Sequence, residues 1–357
     1  GPDRVERAQR SRTAQRLIFA AGPPGNALHQ FRSDIGGMAV LAQHMRRASG
    51  NRYPVLVEQR IEALRNRVGK RFHHLDQLRA DTPDATLIDH GDKVIMAGFV
   101  DAHVHFPQTA MIASWGKRLI DWLNTYTFPE EMRFGDAGYA AEIAARYLDL
   151  TTAHGTTTMC SFATIHPESV EAFFGEAQRR NQRVVAGKTC MDRNAPEGLR
   201  DTPQSAYDQS KALLERWHGV DRISYAITPR FSPTSTPEQL AAMGALWSEH
   251  PDCLMQTHLS EQVDEIAWVK ELYPDARDYL DTYETHGLLG GNGLYGHAIH
   301  LEEREKDRLR DVGASVIHCP TSNTFIGSGL FDMAGLKAAG QRVGLATDTG
   351  GGSSFSM

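Results

Sequence analysis

The chain has 357 residues, of which 41% are hydrophobic, and a formal net charge of −6, which is typical of a globular protein with a sizeable core. It contains no run of about 18 apolar residues, so neither a transmembrane helix nor a membrane partner is expected. Residues 1–80 hold 15 Lys and Arg against 6 Asp and Glu, whereas residues 81–357 hold 23 against 38. The basic residues neither cluster nor alternate with aromatic ones, which argues against nucleic-acid binding.

Residues 1–81 form an atypical, Arg-rich segment without a regular hydrophobic pattern. Their longest early apolar run, Leu17–Ala21, is too short for the core of a secretory signal. The cysteines are widely spaced, form no CxxC motif and each lie in or beside an apolar run: Cys160, Cys190, Cys253 and Cys319. This usage predicts buried free thiols in a reducing compartment, and therefore a cytoplasmic protein.

From residue 82 onward, apolar runs of strand length alternate with helical patterns, which indicates βαβ units and a parallel sheet. Eight runs in about 260 residues predict an α/β fold, a TIM-like (β/α)8 barrel spanning 82–357. The runs are Val94–Phe106, Thr156–Ala163, Arg183–Met191, Ile223–Phe231, Cys253–Ser260, Gly293–Leu301, Ala314–Cys319 and Arg342–Thr347.

Helical patterns separate these runs, and the last of four candidates has the clearest start signal. Thr236 is the predicted N-cap, Pro237 occupies the first helical position and Gln239 follows three residues after the cap. The candidates are Ala137–His154, Ser169–Asn181, Pro203–His218 and Pro237–His250.

Polar side chains follow several of the predicted strands. His103 and His105 end the first run with a spacing that places both imidazoles on one face of a strand. Because barrel active sites form at the carboxyl ends of the strands, the polar groups at these ends are expected on one rim. Imidazole and carboxylate are the ligands that a hydrolytic Zn²⁺ or Fe²⁺ prefers. The other rim candidates are Arg230, Phe231, His258, Glu261, His297 and Asp348.

The order of these residues resembles the amidohydrolase superfamily, and the longer strings resemble its guanine deaminases. The resemblance covers about residues 82–357 and rests on DAHVHFPQ, LIDWLNTYTFPEE, GKTCMDRNAPEGLRD, TPRFSPTSTPEQL, QTHLSE, HCPTSNTFIGSGLFD and ATDTGGGSSFSM. It implies one Zn²⁺ per chain, with Fe²⁺ as the alternative, held by His103, His105, His258 and Asp348.

The implied reaction is hydrolytic deamination of guanine to xanthine and ammonia, in purine catabolism or salvage. A metal lowers the pKa of its bound water toward about 7, so that hydroxide is available at neutral pH. Asp348 accepts the water proton and His297 holds the nascent hydroxide. Glu261 carries a proton to purine N3 and then to the leaving amine, which requires a pKa tuned by a dry pocket.

Substrate contacts are assigned from the same resemblance. Gln108 both donates and accepts hydrogen bonds, which suits the O6 and N1–H edge of guanine, and Arg230 offers a planar donor fork for O6 and N7. Phe231 supports the purine face, and His258 and Glu261 also contact the substrate. An ion pair for Arg230 and a purely structural aromatic role for Phe231 stay open. Trp122, Asn124 and Tyr126 are further candidates for the pocket lining.

Two departures from the resemblance concern the ends of the chain. Relatives fold their terminal segments into a small β-sandwich beside the barrel, and residues 1–81 lack that pattern. The chain stops at Met357, so we expect a barrel truncated after strand eight, with the β-sandwich incomplete or absent. A homodimer stays open.

Two alternatives to a guanine deaminase also stay open. Another amino-heterocycle deaminase or a chlorohydrolase would keep the metal residues and alter the surroundings of Gln108 and Arg230. A catalytically dead barrel acting as a binding protein is the second alternative, and the intact set of rim residues argues against it. A deaminase of the other zinc fold is excluded, because that fold needs an HxE motif paired with PCxxC.

Overall fold

The computed structural model describes residues 96–115 and 118–357, together with Asp84 and Val94. The predicted segment 1–81 and its boundary with the barrel lie outside the described residues. The predictions about that segment and about the β-sandwich therefore stay predictions.

Each predicted run contains a strand, and the third contains two. The strands are Phe99–His105 (β1), Thr156–Phe162 (β2), Arg183–Gly187 (β3), Thr189–Cys190 (β4), Ile223–Pro229 (β5), Leu254–Leu259 (β6), Gly293–His297 (β7), Ser315–His318 (β8) and Arg342–Leu345 (β9). They pair in parallel throughout, in the order β1-β2-β3-β5-β6-β7-β8-β9, with β4 paired to β5.

The interruption between β3 and β4 falls at Lys188, whose side chain is fully buried. Its Nζ donates to Asp201 Oδ2 at 2.6 Å, and its backbone N–H donates to the Tyr225 hydroxyl at 3.1 Å. The ion pair ties the end of β3 to residue 201 across the loop that follows β4. A charged residue inside an apolar run therefore marks the break in this strand.

The two ends of the sheet meet along a seam between β1 and the residues after β9. The Asp348 N–H donates to the His103 carbonyl at 3.0 Å, and the His105 N–H donates to the Thr349 carbonyl at 3.2 Å. The buried Asp101 carboxylate accepts the Thr347 N–H at 2.9 Å. These bonds bring the two ends together into a nearly closed barrel of eight strands, with β3 and β4 counted as one interrupted strand, which confirms the predicted fold. They also hold Asp348 beside the His103 strand.

Helices connect the strands of the barrel. The α-helices of the described part are Leu119–Trp122 (α1), Phe128–Glu131 (α2), Ala137–Ala153 (α3), Pro167–Arg180 (α4), Pro203–Trp217 (α5), Pro237–Glu249 (α6), Val263–Leu272 (α7), Tyr279–Glu284 (α8), Glu303–Asp311 (α9), Pro320–Phe325 (α10) and Met333–Ala338 (α11). The four predicted helices correspond to α3–α6. None of the described helices is long and apolar enough to cross a membrane.

The start of α6 confirms Thr236 as its N-cap, since the Thr236 side chain accepts the backbone N–H of Gln239 at 3.2 Å. The reciprocal bond of a capping box does not form at this helix. The Thr236 N–H is instead taken by Asp192 Oδ1 at 2.7 Å, from the loop that follows β4. A tertiary contact has therefore replaced the local one that the sequence pattern predicts.

The strands contribute both apolar and polar residues to the buried interior, among them Val104 and Ile227 beside Asp101 and Gln256. Every residue of β5 is buried, as expected for a strand of a parallel sheet that is covered on both faces. A second apolar cluster lies above the carboxyl ends of the strands and includes Trp122, Phe231 and Ile326. All four cysteines are buried free thiols, as the sequence predicts.

Candidate active site

The rim residues expected from the sequence are brought together at the carboxyl ends of the strands. His103 and His105 lie in β1, His258 in β6 and His297 at the end of β7, while Asp348 follows β9. All are buried, and the most exposed, His258, has only 8% of its surface accessible.

Ring nitrogens of three of these histidines face one another. His105 Nε2 lies 3.1 Å from His258 Nε2, and Asp348 Oδ1 lies 3.6 Å from both His103 Nε2 and His105 Nε2. Ligand-competent atoms of His103, His105 and His258 lie within 4.8 Å of one another. This is the spacing of groups that share one small central partner.

The electrostatics of these groups fit a divalent metal ion. His103 Nε2 and Asp348 Oδ1 are buried and have no hydrogen-bond partner among the described residues, an arrangement that is costly unless a ligand satisfies them. Burial, and then the neighbouring imidazoles, hold the pKa values of His103, His105 and His258 well below the usual range. Neutral imidazole is the form that ligates a metal.

Two imidazoles are oriented by hydrogen bonds on their other nitrogen. His258 Nδ1 lies 2.7 Å from the Arg230 carbonyl oxygen, and His297 Nδ1 lies 2.9 Å from Asn323 Oδ1. Both partners are acceptors, so each Nδ1 donates a proton to its partner, and in the neutral His258 ring Nε2 keeps its lone pair for the centre of the site. Asn323 has no signal in the sequence beyond its place in HCPTSNTF.

The backbone is strained where it delivers these side chains. His297 and Asp348 adopt the left-handed region, with φ of 65° and 50°, which non-glycine residues seldom occupy. The neighbouring Gly296 lets the His103 ring approach closely, since a Cβ at residue 296 would fall 2.5 Å from His103 Cε1. These local costs show that the surrounding fold determines the positions of the rim residues.

Glu261 follows β6 and reaches the same centre. Its Oε1 accepts the Ser328 hydroxyl at 2.9 Å, and its Oε2 lies 3.5 Å from His297 Nε2. Burial raises the pKa of Glu261 to about 7, against the opposing effects of the Ser328 hydrogen bond and the Arg230 charge. The backbone N–H of Glu261 donates to the buried Glu265 at 3.0 Å. Sequence reasoning missed both Ser328 and Glu265.

A cleft with about 370 Å³ of empty space, partly open to solvent, lies beside these residues. Gln108, Arg230, Phe231 and Trp122 line it, together with the catalytic candidates Glu261, His297 and Asp348. Of the other pocket candidates, Asn124 donates to the Ile120 carbonyl and Tyr126 donates to the Trp115 carbonyl, and neither lines the cleft.

The two polar substrate candidates share a partner that the sequence did not reveal, Glu131. Its carboxylate is fully buried and accepts Arg230 Nη1 at 3.0 and 2.7 Å and Gln108 Nε2 at 2.9 Å. Arg230 therefore forms the ion pair left open in the sequence analysis while it also lines the cleft. Phe231 likewise belongs to the apolar cluster above the strands and lines the cleft.

Cys319 is a further group near the centre that sequence reasoning did not place there. Its thiol lies within 4.8 Å of ligand-competent atoms of His103, His297 and Asp348. Burial holds the pKa of the Cys319 thiol well above its usual range, so the thiol keeps its proton at this site.

Comparisons with known proteins agree with this geometry. The sequence model of the Amidohydrolase family matches residues 94–357. The guanine deaminase of Escherichia coli (strain K12) is 49% identical over 276 residues, which are 77% of this chain and 63% of that protein. The crystal structure of guanine deaminase from Bradyrhizobium japonicum has a TM-score of 0.77 at 41% identity, covering 79% of this chain and 61% of that one.

A third relative was solved with its ligand. The guanine deaminase of C. acetobutylicum with guanine bound in the active site has a TM-score of 0.71 at 31% identity, covering 73% of this chain and 63% of that one. The chain thus spans somewhat less than two thirds of the length of the relatives it matches.

Proposed function

This chain belongs to the amidohydrolase family, and we propose that it catalyses the hydrolytic deamination of guanine to xanthine and ammonia. The observation that carries the proposal is the convergence of three imidazoles and a carboxylate at the edge of a cleft, next to a buried carboxyl group of raised pKa. The similarity to guanine deaminases across most of the described barrel supports guanine as the substrate.

The residues that would hold one Zn²⁺ are His103, His105, His258 and Asp348, and Fe²⁺ is the alternative for the same donor set. When bound, such an ion lowers the pKa of a coordinated water toward about 7 and so supplies a nucleophile at neutral pH. His103 Nε2 and Asp348 Oδ1 support this assignment, since both are buried and have no hydrogen-bond partner in the part of the chain that the structure describes.

Three side chains that can transfer protons lie next to one another beside the proposed metal site. His297 Nε2 lies 3.5 Å from Glu261 Oε2 and 3.8 Å from Asp348 Oδ2. Asp348 accepts the proton of the attacking water, and His297 orients the oxygen toward purine C2. Glu261 delivers a proton to N3, regains one from the hydroxyl that has added to C2, and passes it to the departing amine, a role for which a carboxyl pKa of about 7 is suited. The proton held by Asp348 then restores the protonated Glu261 for the next cycle.

Substrate is held by Gln108, Arg230 and Phe231, with further contacts from His258 and Glu261. Gln108 and Arg230 are buried, so the polar groups of a ligand that face them must pair with them, which is how a hydrogen-bonding site rejects related molecules. Trp122 and Phe231 supply apolar walls for the flat purine. The cytoplasmic location and the homodimer stay predictions.

The test uses the purified chain after loading with zinc. Metal content is measured by elemental analysis, and initial rates are measured on guanine, adenine, cytosine and a chlorinated triazine with one enzyme stock. We expect close to one equivalent of zinc and a guanine rate about 10⁴-fold or more above the others.

Two results would reject the proposal. No guanine turnover by the zinc-loaded protein would remove the activity altogether. Turnover of any other compound within about tenfold of guanine would leave another amidohydrolase activity in its place.

A further inference from the structure

We propose that Glu131 determines which atom of the Gln108 amide faces the cleft, and that it thereby selects ligands with a carbonyl oxygen next to a ring N–H. The proposal rests on the proposed function insofar as it takes a purine as the ligand. Glu131 is a positioning residue, because it acts through Gln108 and Arg230 and is not itself part of the cleft lining.

The Glu131 carboxylate lies between two donors. Both of its oxygens accept from Arg230 Nη1, at 3.0 and 2.7 Å, and Oε1 also accepts from Gln108 Nε2 at 2.9 Å. A carboxylate whose two oxygens both face the N–H groups of a guanidinium acts as a hydrogen-bond acceptor. The amide atom of Gln108 that faces it must therefore be the NH₂ group.

The carbonyl oxygen of Gln108 is then left on the other side of the amide. Gln108 is only 1% exposed, and its Oε1 has no hydrogen-bond partner among the described residues. The oxygen lies against Gly350, whose φ of +120° suits glycine alone and where a Cβ would fall 2.0 Å from Gln108 Oε1. A buried acceptor without a partner, in a residue that lines the cleft, indicates that a ligand donor pairs with it.

Arg230 completes the pattern. Its Nη1 donates to Glu131, and its Nε and Nη2 make no hydrogen bond to another described residue. The cleft therefore offers an acceptor from Gln108 near donors from Arg230. The complementary edge is a ring N–H next to a carbonyl oxygen, as in guanine and hypoxanthine, whereas adenine presents an amino donor next to a ring acceptor.

Replacing Glu131 by glutamine should relax this selection. The new amide can donate to Gln108 Oε1 as readily as it can accept from Gln108 Nε2, so both orientations of the Gln108 amide become satisfied. The matched control is Glu130→Gln, which removes the same charge one residue earlier. Glu130 pairs with Arg133 and accepts from the Tyr139 hydroxyl, and it makes no hydrogen bond to Gln108 or Arg230.

The experiment measures binding of hypoxanthine and adenine to the zinc-loaded chain by calorimetry. Neither compound carries the amino group on C2, so the proposed reaction does not consume them. We expect wild type to bind hypoxanthine at least ~100-fold more tightly than adenine, because the wrong edge leaves two buried partners mismatched. The ratio should fall at least ~10-fold in Glu131→Gln and stay within about twofold of wild type in Glu130→Gln.

A second readout compares turnover of guanine with that of 2,6-diaminopurine. This compound keeps the C2 amino group, but at the neighbouring edge it has an amino donor on C6 and a ring acceptor at N1. Glu131→Gln should lower the ratio of kcat/KM values for this pair by ~10-fold or more. An equal loss on both substrates would show that Glu131 is merely structural and would overturn the proposal. So would an unchanged binding ratio in a folded Glu131→Gln protein.

If Glu131→Gln fails to fold, wild type and Gln108→Met decide the matter. The proposal then requires that wild type prefers hypoxanthine and that Gln108→Met loses most of this preference, while equal binding of the two purines by wild type would overturn it. The binding ratio does not depend on catalysis. A chain that prefers hypoxanthine and yet fails to deaminate guanine would therefore refute the proposed function and leave the role of Glu131 standing.

Discussion

Gly296→Ala tests whether the position of the His103 ring controls metal binding. A Cβ at residue 296 would fall 2.5 Å from His103 Cε1 and 2.7 Å from its Nδ1. Since carbon atoms pack at about 3.5–4.0 Å, the ring or the strand must move by roughly 1 Å. Overpacking of this kind costs about 1–3 kcal/mol, and if the strain opposes the metal-bound arrangement, zinc affinity falls by roughly 5- to 150-fold.

The assay is a competition titration of zinc against a chromophoric chelator, with thermal unfolding of the same samples. Gly175→Ala is the matched control, because this helical glycine in α4 has no heavy atom within 4 Å of its added Cβ. That control should keep the zinc affinity of wild type and gain about 0.5–1 kcal/mol in stability. If Gly296→Ala binds zinc within about twofold of wild type, His103 is not a ligand held in place by this contact.

Three further variants probe other parts of the account. Glu261→Gln should keep its zinc, as shown by elemental analysis, and lose about 10²- to 10⁴-fold in kcat, because an amide does not shuttle protons; a variant with most of its activity left would contradict that role. Asn323→Ala removes the acceptor of His297 Nδ1–H and should lower kcat/KM on guanine by roughly 10- to 100-fold at normal zinc content. Wild-type kinetics in this variant would mean that the hydrogen bond from Asn323 is not needed to orient His297. Lys188→Met leaves Asp201 buried without its partner and should lower the free energy of unfolding in urea by about 3–5 kcal/mol. The double variant Lys188→Met, Asp201→Leu should regain most of that loss. Equal stability of wild type and the single variant would argue against a strong ion pair.

The fold was largely predictable because its signal is local. A parallel strand covered on both faces is a short apolar run, and each of the predicted runs contains one. The predicted and observed strand bounds differ where the apolar run is longer than the hydrogen-bonded strand. The first predicted run begins at Val94, whereas β1 begins at Phe99. The division of the third run at Lys188 was not predicted, because its cause is a partner thirteen residues further along the chain.

The rim residues were predictable for a related reason. A polar side chain at the end of an apolar run lies at the mouth of a barrel, so His103, His258 and Asp348 could be placed near one another without knowledge of the loops. Their partners could not. Glu131 lies 23 residues from Gln108 and 99 residues from Arg230 along the chain. The local sequence gives no sign that Glu131 is fully buried while the preceding Glu130 is only half-buried.

The support of Glu261 shows the same limit. Ser328 lies 67 residues beyond the carboxylate that it contacts, in a loop whose path depends on the packing of the finished barrel. Pattern and spacing therefore predict which groups face the site, whereas the hydrogen bonds that set their orientation depend on tertiary structure.

The proposed metal site is tested most directly by titrating the metal-free chain with zinc and measuring xanthine formation from guanine at each step. We expect no activity without metal, a linear rise with added zinc and a plateau at one equivalent per chain. Xanthine formation that persists without metal, or its absence at one bound equivalent, would contradict the claim that His103, His105, His258 and Asp348 hold the ion that acts on guanine.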